Sequence, residues 1–222
     1  LSPRKCKINL KFIKVLDKDE LSNYTDEEIY NLVTASINVN EYQDQLTRKR
    51  VIKSKSIASG LEGVLVKCPK CGDTHSYKTD KDILTCTTCD NQLKVNEFGL
   101  FEKVKDSDVI FNNLPDWYSW QKEELRKQLD TFELIQNVIL QSNIKTINSL
   151  EDCGKGVIYL NKDRLYYEGT LYDEHITKEF KLEQIPQLPF EPFVRFEIPD
   201  SDAMFRFIPE DIYTIIDFVQ FV

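Results

Sequence analysis

Four of the six cysteines in this 222-residue chain fall in the spacing Cys-x2-Cys-x14-Cys-x2-Cys, at Cys68, Cys71, Cys86 and Cys89. Two residues between thiolates let one turn present both sulfurs to a single tetrahedral ion, and the 14 residues between the pairs suit a hairpin that sets one pair opposite the other. Gly72 follows the first pair and can take the positive φ such a turn needs; Asp90 and Asn91 follow the second and tolerate it. With no export signal in view, the spacing reads as a metal site, the alternative being disulfides or unbound thiols. Four thiolates would fill the coordination sphere of zinc and leave no place for water or substrate, so the expectation is one structural Zn2+ per chain in a zinc ribbon, with no catalytic metal. Cys6 and Cys153 stand alone and read as small buried hydrophobes.

Inside that segment His75 and Asp80 have the His-x4-Asp spacing that can mark a general base and the carboxylate that orients it. They lie on the hairpin between the two cysteine pairs, where residues alternate between faces and nothing nearby builds an acyl or phosphate pocket, so both are expected to be solvated. His175, in "LYDEHITKEF", has no serine or cysteine partner in an elbow-like context. No catalytic residue is expected in this chain.

The chain carries a net charge of −8 with 41% hydrophobic residues, enough apolar material for real cores and an overall field that opposes wide binding to nucleic acid. From Val64 to Lys103 six lysines meet six carboxylates, so the cysteine segment is locally neutral and no nucleic-acid partner is expected. The most basic stretch is "RKRVIKSKS", whose Arg48, Lys49, Arg50, Lys53 and Lys55 read as a solvated linker or as a patch for anionic headgroups, each charge contributing about 1 kcal/mol near a membrane surface. No run of about 18 apolar residues is present, and "LSPRKCKINL" lacks the pattern of a signal peptide. The expectation is a cytoplasmic protein, with peripheral membrane association open to it.

The surrounding elements follow from periodicity. "KINLKFIKVL" alternates as a half-buried strand. "NYTDEEIYNLVTASI" opens with a capping box, Thr25 to Glu28, and lays Ile29, Leu32, Val33 and Ile37 along one stripe that needs a docking partner; a short helix follows through "VNEYQDQL". "LPDWYSWQKEELRKQLDTFELIQNVIL" reads as a helix from near Asp116, with Trp117 and Trp120 as core anchors. The final third is a series of short alternating strands followed by the apolar helix "PEDIYTIIDFVQFV". That order matches a pleckstrin-homology-like β-barrel whose helix plugs one open end. Lys155, Lys162 and Arg164 on its first hairpin could meet phosphoinositides but read better as ordinary exposed strand charges.

Taken in order, "TDEEIYNLV", "EYQ", "GLEGVLVKCPKCG", the second cysteine pair, "NEFGLFE", "WYSWQKEEL" and the β-rich tail resemble the C-terminal region of bacterial 1-acyl-sn-glycerol-3-phosphate (lysophospholipid) acyltransferases that carry a zinc-ribbon extension. The resemblance implies an α+β chain in five parts: residues 1–20 as the last strand of a truncated α/β acyltransferase domain, 21–62 a helical linker, 63–104 the zinc ribbon, 105–148 a connecting helix and 149–222 the pleckstrin-homology-like domain. It implies an upstream acyltransferase domain as partner and acyl transfer in the intact protein, since that family's catalytic His-x4-Asp and its Pro-Glu-Gly-Thr-Arg phosphate motif are not present here in context. Glu168, Gly169 and Thr170 in "YEGTLY" lack both the preceding proline and the following arginine suited to bidentate phosphate binding. The alternative is a free-standing adaptor that binds protein or lipid headgroups.

Overall fold

A computed structural model describes residues 12, 16–37, 40–144, 149–200 and 203–222. The chain is α+β, with helices and two antiparallel sheets, and divides into two compact units, Leu1–Thr47 and Arg48–Val222. The strand expected over residues 7–16 lies outside the described residues apart from Phe12 and Leu16, and Cys6 lies outside them too.

In the first unit, helices α1 (Lys18–Leu21), α2 (Asp26–Ile37) and α3 (Glu41–Arg48) follow one another, α3 running one residue past the boundary. The capping box at the start of α2 forms as its sequence dictates: the Glu28 carboxylate accepts from the Thr25 backbone N–H at 2.8 Å and the Thr25 hydroxyl accepts from the Glu28 N–H at 3.3 Å. Among the described residues the apolar stripe meets no buried partner. No residue of α2 is buried, and Tyr30, Val33 and Ile37 stand exposed.

The second unit begins with an irregular segment and a 3-10 turn, Leu61–Gly63, and then builds a four-stranded meander: β1 (Tyr77–Asp80), β2 (Ile83–Cys86), β3 (Gln92–Val95) and β4 (Phe101–Lys103). Strands of three or four residues hold little apolar surface, so the sheet leans on α4 (Leu114–Arg126). Asn113 caps that helix, accepting from the Asp116 N–H at 2.8 Å, and Pro115 sits in its first turn, where a missing N–H costs nothing. Trp117 is fully buried from α4, edge-on to Tyr77 and Phe101, and its indole N–H donates to the Lys67 carbonyl at 3.0 Å. The core role expected of both tryptophans holds, with Trp120 packed on Phe111.

The helix expected to run on through residue 140 stops at Arg126. Residues Glu133–Ser142 are instead β5, the middle of a seven-stranded sheet ordered β8-β7-β6-β5-β11-β10-β9. Its other members are β6 (Glu151–Asn161), β7 (Leu165–Leu171), β8 (Glu174–Phe180), β9 (Phe190–Glu191), β10 (Arg195–Asp200) and β11 (Ala203–Pro209). Pairing decides the conformation: β5 runs beside β6 over its whole length and beside β11 on its other edge, with Val138, Leu140 and Ser142 alternating into the core. Between Leu140 and Gln141 the register shifts, and Cys153 is the extra residue of the bulge, buried as expected.

The sheet curls but does not close. In a flat sheet β8 and β11, four places apart, would be separated by roughly 19 Å. Here Phe180 of β8 meets Phe205 and Phe207 of β11 at ring centroid distances of 5.5 and 5.9 Å, and Lys178 of β8 pairs with Asp200 of β10 at 2.7 Å. Among the described residues β8 and β9 remain the two edges, which corrects the expected barrel to an open, curled sheet. Pro186 and Pro189 lie between them and lack the N–H a closing ladder would need. The apolar C-terminal helix expected to plug a barrel end is α5 (Ile215–Phe221), and it packs into the core of the large sheet, with Phe218 stacked on Phe196 at 4.7 Å.

Residues 63–222 fall within the second compact unit, and Val66, two residues before the first cysteine of the quartet, belongs to the same apolar core as the large sheet. Phe207 is fully buried against Tyr167, Phe180 and Phe196 at the centre of that core. Phe207→Ala should cost about 3–5 kcal/mol of stability, read from the urea midpoint.

Candidate metal centre

The two cysteine pairs sit in turns built to one pattern. In the first, the Gly72 N–H donates to the Cys68 carbonyl (2.8 Å) and the Cys68 N–H to the Asp73 carbonyl (2.8 Å); in the second, Asp90 donates to Cys86 (3.0 Å) and Cys86 to Asn91 (2.9 Å). Gly72 (φ 78°) and Asp90 (φ 54°) take the left-handed conformation at equivalent places, as the sequence anticipates. The β1–β2 hairpin then brings the turns face to face, and the Thr88 hydroxyl donates to the Asp73 carboxylate across the gap.

All four sulfurs lie within 4.8 Å of one another, with Cys68 Sγ to Cys89 Sγ at 3.7 Å and Cys71 Sγ to Cys86 Sγ at 3.8 Å. These separations are far longer than a disulfide bond of about 2.05 Å and match the mutual spacing of sulfurs sharing one ion. The cluster can hold a metal. Cys68 and Cys86 are buried, whereas Cys71 is exposed.

The surroundings favour anionic sulfur on one side. Burial pushes the Cys86 thiol up, but the Ser76 hydroxyl and the N–H groups of Cys89 and Thr88 outweigh it and bring it to about 7. Ser76 Oγ lies 3.3 Å from Cys86 Sγ. Cys89, dominated by burial, is pushed up to about 12. Asn91 is itself buried, exchanging two hydrogen bonds of 2.8 Å with the backbone of Val109 and reaching Cys68 Sγ at 3.8 Å.

Behind the site, Gln121 of α4 is buried and clamps the approach to Cys68: its amide donates to the Val64 carbonyl at 2.6 Å and its oxygen accepts from the Val66 N–H at 3.1 Å. The buried Asp108 carboxylate accepts from the N–H groups of Lys105 (2.7 Å) and Gln92 (3.2 Å). Gln121, Asp108 and Tyr77 carry no mark in the sequence that points to the cysteines, because their partners are backbone groups or lie in another element. Asn91, directly after Cys-x-x-Cys-Asp, could have been read as a capping amide.

The His-x4-Asp pair is not a dyad. Asp80 ends β1, while His75 reaches the other way to α5, its Nε2 lying 2.9 Å from Asp217 Oδ2, an interaction between residues 142 positions apart. His75 is exposed as expected, but its imidazole is tied to the C-terminal helix by that contact. His175 faces Glu168 at 4.0 Å on the exposed side of β7 and β8. Glu168, Gly169 and Thr170 are strand residues: Gly169 pairs with Gly156, where a Cβ would lie 2.6 Å from the opposing Cα, and the Thr170 hydroxyl bonds the backbone of Lys155. No phosphate loop forms there. Lys162 pairs with Asp130 at 3.0 Å and Arg164 lies over the Tyr166 ring. Arg48, Lys49, Arg50, Lys53 and Lys55 are all exposed, along a segment tied down where Ile52 N–H donates to the Glu97 carbonyl.

Comparison with protein-family models, with characterised proteins and with solved structures finds no match.

Cys68→Ser or Cys86→Ser should lose about one equivalent of bound metal, measured by atomic emission on the purified chain, and unfold the small sheet. The Asp217 contact has its own signature. The hydrogen bond to Asp217 holds the His75 imidazole above its usual range against the opposing effect of burial, with Asp211 adding to it. A raised folded pKa stabilises fully below the unfolded value of about 6.5 and is lost as pH rises through the folded value. Asp217→Asn should therefore cost more stability at pH 6 than at pH 8.5, measured as the variant's difference from wild type in urea at each pH.

Proposed function

We propose that this chain is a non-catalytic module stapled by one structural zinc ion, the accessory C-terminal region of a lysophospholipid acyltransferase. The observation that carries the non-catalytic part is the sulfur cluster. With zinc–sulfur bonds of about 2.3 Å, a regular tetrahedron has edges of about 3.8 Å, and the two measured edges are 3.7 and 3.8 Å. A sphere closed by four thiolates has no site for a substrate or an activated water, so zinc here supplies folding energy, about 10–16 kcal/mol in small zinc modules. Of the two histidines, His75 is held by Asp217 at 2.9 Å and His175 lies exposed 4.0 Å from Glu168.

The paired cysteine turns and short meander support a zinc ribbon, and the curled seven-stranded sheet with its apolar C-terminal helix supports a pleckstrin-homology-like domain. On this reading acyl transfer to 1-acyl-glycerol-3-phosphate belongs to residues outside this chain, in an acyltransferase domain of the same protein. The module holds that domain at the membrane surface, with Arg48, Lys49, Arg50, Lys53 and Lys55 facing anionic headgroups. No described helix is long and apolar enough to cross a membrane.

A second reading, a free-standing adaptor for protein or lipid, is favoured by one feature. A surface groove of about 540 Å³ crosses β5, β6 and β11, lined by apolar Ile139, Val157 and Ile208 between Lys155 and Glu210. The test begins with the endogenous protein. Its intact mass and its transfer of acyl groups from an acyl thioester to 1-acyl-glycerol-3-phosphate should show a longer, active product whose activity survives His75→Ala; a mass near 26 kDa without transfer would leave the adaptor. Lys49→Glu with Lys53→Glu and Lys55→Glu should reduce cosedimentation of the chain with phosphatidylserine-containing vesicles by about tenfold or more at low salt. Unchanged sedimentation would remove the headgroup role.

A further inference from the structure

For four sulfurs to share an ion, two separate turns must face each other, yet each turn here is closed by its own backbone. The bonds that join one turn to the other start at the hairpin. The β1–β2 ladder reaches Tyr77 opposite Cys86, and next to it the Thr87 N–H and hydroxyl both donate to the Ser76 carbonyl, at 2.7 and 2.8 Å. Beyond that point the turns meet through a side-chain hydrogen bond, the Thr88 hydroxyl donating to the Asp73 carboxylate across 15 positions of the chain.

Asp73 is fixed for this contact by its other bonds. Its carbonyl accepts from the Cys68 N–H at 2.8 Å, one carboxylate oxygen accepts from the Thr74 N–H at 3.0 Å, and the other carboxylate oxygen takes the Thr88 hydroxyl. Thr88 lies between Cys86 and Cys89. The residue bonded to the backbone of the first cysteine is therefore also the one that holds the middle of the second turn. Both residues are exposed, and an exposed side-chain hydrogen bond adds little to the stability of a folded chain. Its effect on a bound ion differs in kind. Binding must order the groups that converge on the ion, and a contact that already holds them together removes part of that cost.

We propose that Asp73 and Thr88 are positioning residues of the metal centre, a clasp across the two cysteine turns that keeps the four sulfurs gathered and slows release of the ion. The inference rests on the zinc reading above and deepens it. Cys71 is the exposed sulfur of the four and lies two residues from Asp73. Opening the clasp frees the turn that carries Cys71, the ligand a chelator can reach first. Partners outside the ligand set that orient it contribute about 10–100-fold to metal affinity.

Thr88→Val keeps the shape of the side chain and removes the hydroxyl, whereas Thr88→Ser keeps the hydroxyl and removes a methyl group. The full chain and each variant would be loaded with zinc, and Kd and release rate read by transfer to a chromophoric chelator. Wild type should hold one equivalent. Thr88→Val should also take up one, with the apparent Kd raised about 10-fold and faster release, while Thr88→Ser stays within about twofold of wild type. Asp73→Ala should lose at least as much as Thr88→Val, and the double variant no more than Asp73→Ala alone, because the hydroxyl then has no acceptor left to lose.

A Thr88→Val chain with wild-type Kd and release rate overturns the clasp. So does a Thr88→Ser chain as weak as Thr88→Val, which would place the effect in the packing of the methyl group. A double variant whose loss is the product of the two single losses, about 100-fold, also overturns it, since the two side chains would then act independently. Should Thr88→Val fail to fold, Asp73→Asn, which keeps an oxygen for Thr88, and Asp73→Ala, which keeps none, carry the same comparison. An affinity near wild type for the first and about 10-fold weaker for the second is expected; equal affinities overturn the proposal. A wild-type chain that takes up no zinc overturns the metal reading itself.

Discussion

Everything around the small sheet depends on four sulfurs reaching one point. Strands of three or four residues, with a core of Leu65, Tyr77, Leu84, Leu93 and Trp117, bury too little to outweigh the conformational entropy of the turns that join them. The sulfurs change that balance because an ion held by all four links Cys68 to Cys89 and Cys71 to Cys86 at once, closing both turns and the hairpin between them. In its absence four thiols, two of them buried, would face one another with little gain. The backbone prepares for the first case, with two turns that repeat the same hydrogen bonds, a left-handed residue at the equivalent place in each and donors aimed at sulfur.

That site was legible in the sequence to an unusual degree, since its determinants are local. Cys-x-x-Cys fixes which sulfurs share a turn, and Gly72 and Asp90 fix where the chain reverses. The capping box from Thr25 to Glu28 was readable for the same reason, both partners lying within one helical turn. Strand β5 was not. In "ELIQNVILQS", Leu134 with Val138 and Ile135 with Ile139 satisfy helical spacing, while Leu134, Val138 and Leu140 also satisfy alternation. The tie is broken by β6 and β11, which reach β5 from later in the chain and supply the ladder a helix would have made internally. The open seam was equally hidden, because whether β8 meets β9 depends on the path through Pro186 and Pro189 rather than on the pattern of either strand.

The residues that join the small sheet to the large one share this non-local character. Gln121 clamps Val64 and Val66 from α4, Val66 enters the large core, and His75 reaches Asp217 on α5. None takes this role from the motif it falls in, and a reading confined to motifs makes His75 either a base or a bystander. Its actual position follows from the first cysteine turn: the chain leaving Gly72 bonds back to Val66 through the His75 N–H, and a left-handed φ at His75 turns its ring away from β1. The same geometry that closes the metal turn thus supplies the contact to the C-terminal helix.

This coupling bears on function. Because the cysteine turns, α4 and α5 meet through buried hydrogen bonds and one ion pair, loosening of the sulfur cluster would be felt at the helix that fills the curled sheet. On the reading proposed above, a metal at the junction of two sheets with every coordination position taken by sulfur would be suited to holding surfaces in register rather than to turning over a substrate. The exposed basic segment before the small sheet and the groove across β5, β6 and β11 both belong to the same compact unit as the cluster. On the proposed reading, binding at either surface would depend on the four cysteines even though they lie outside both.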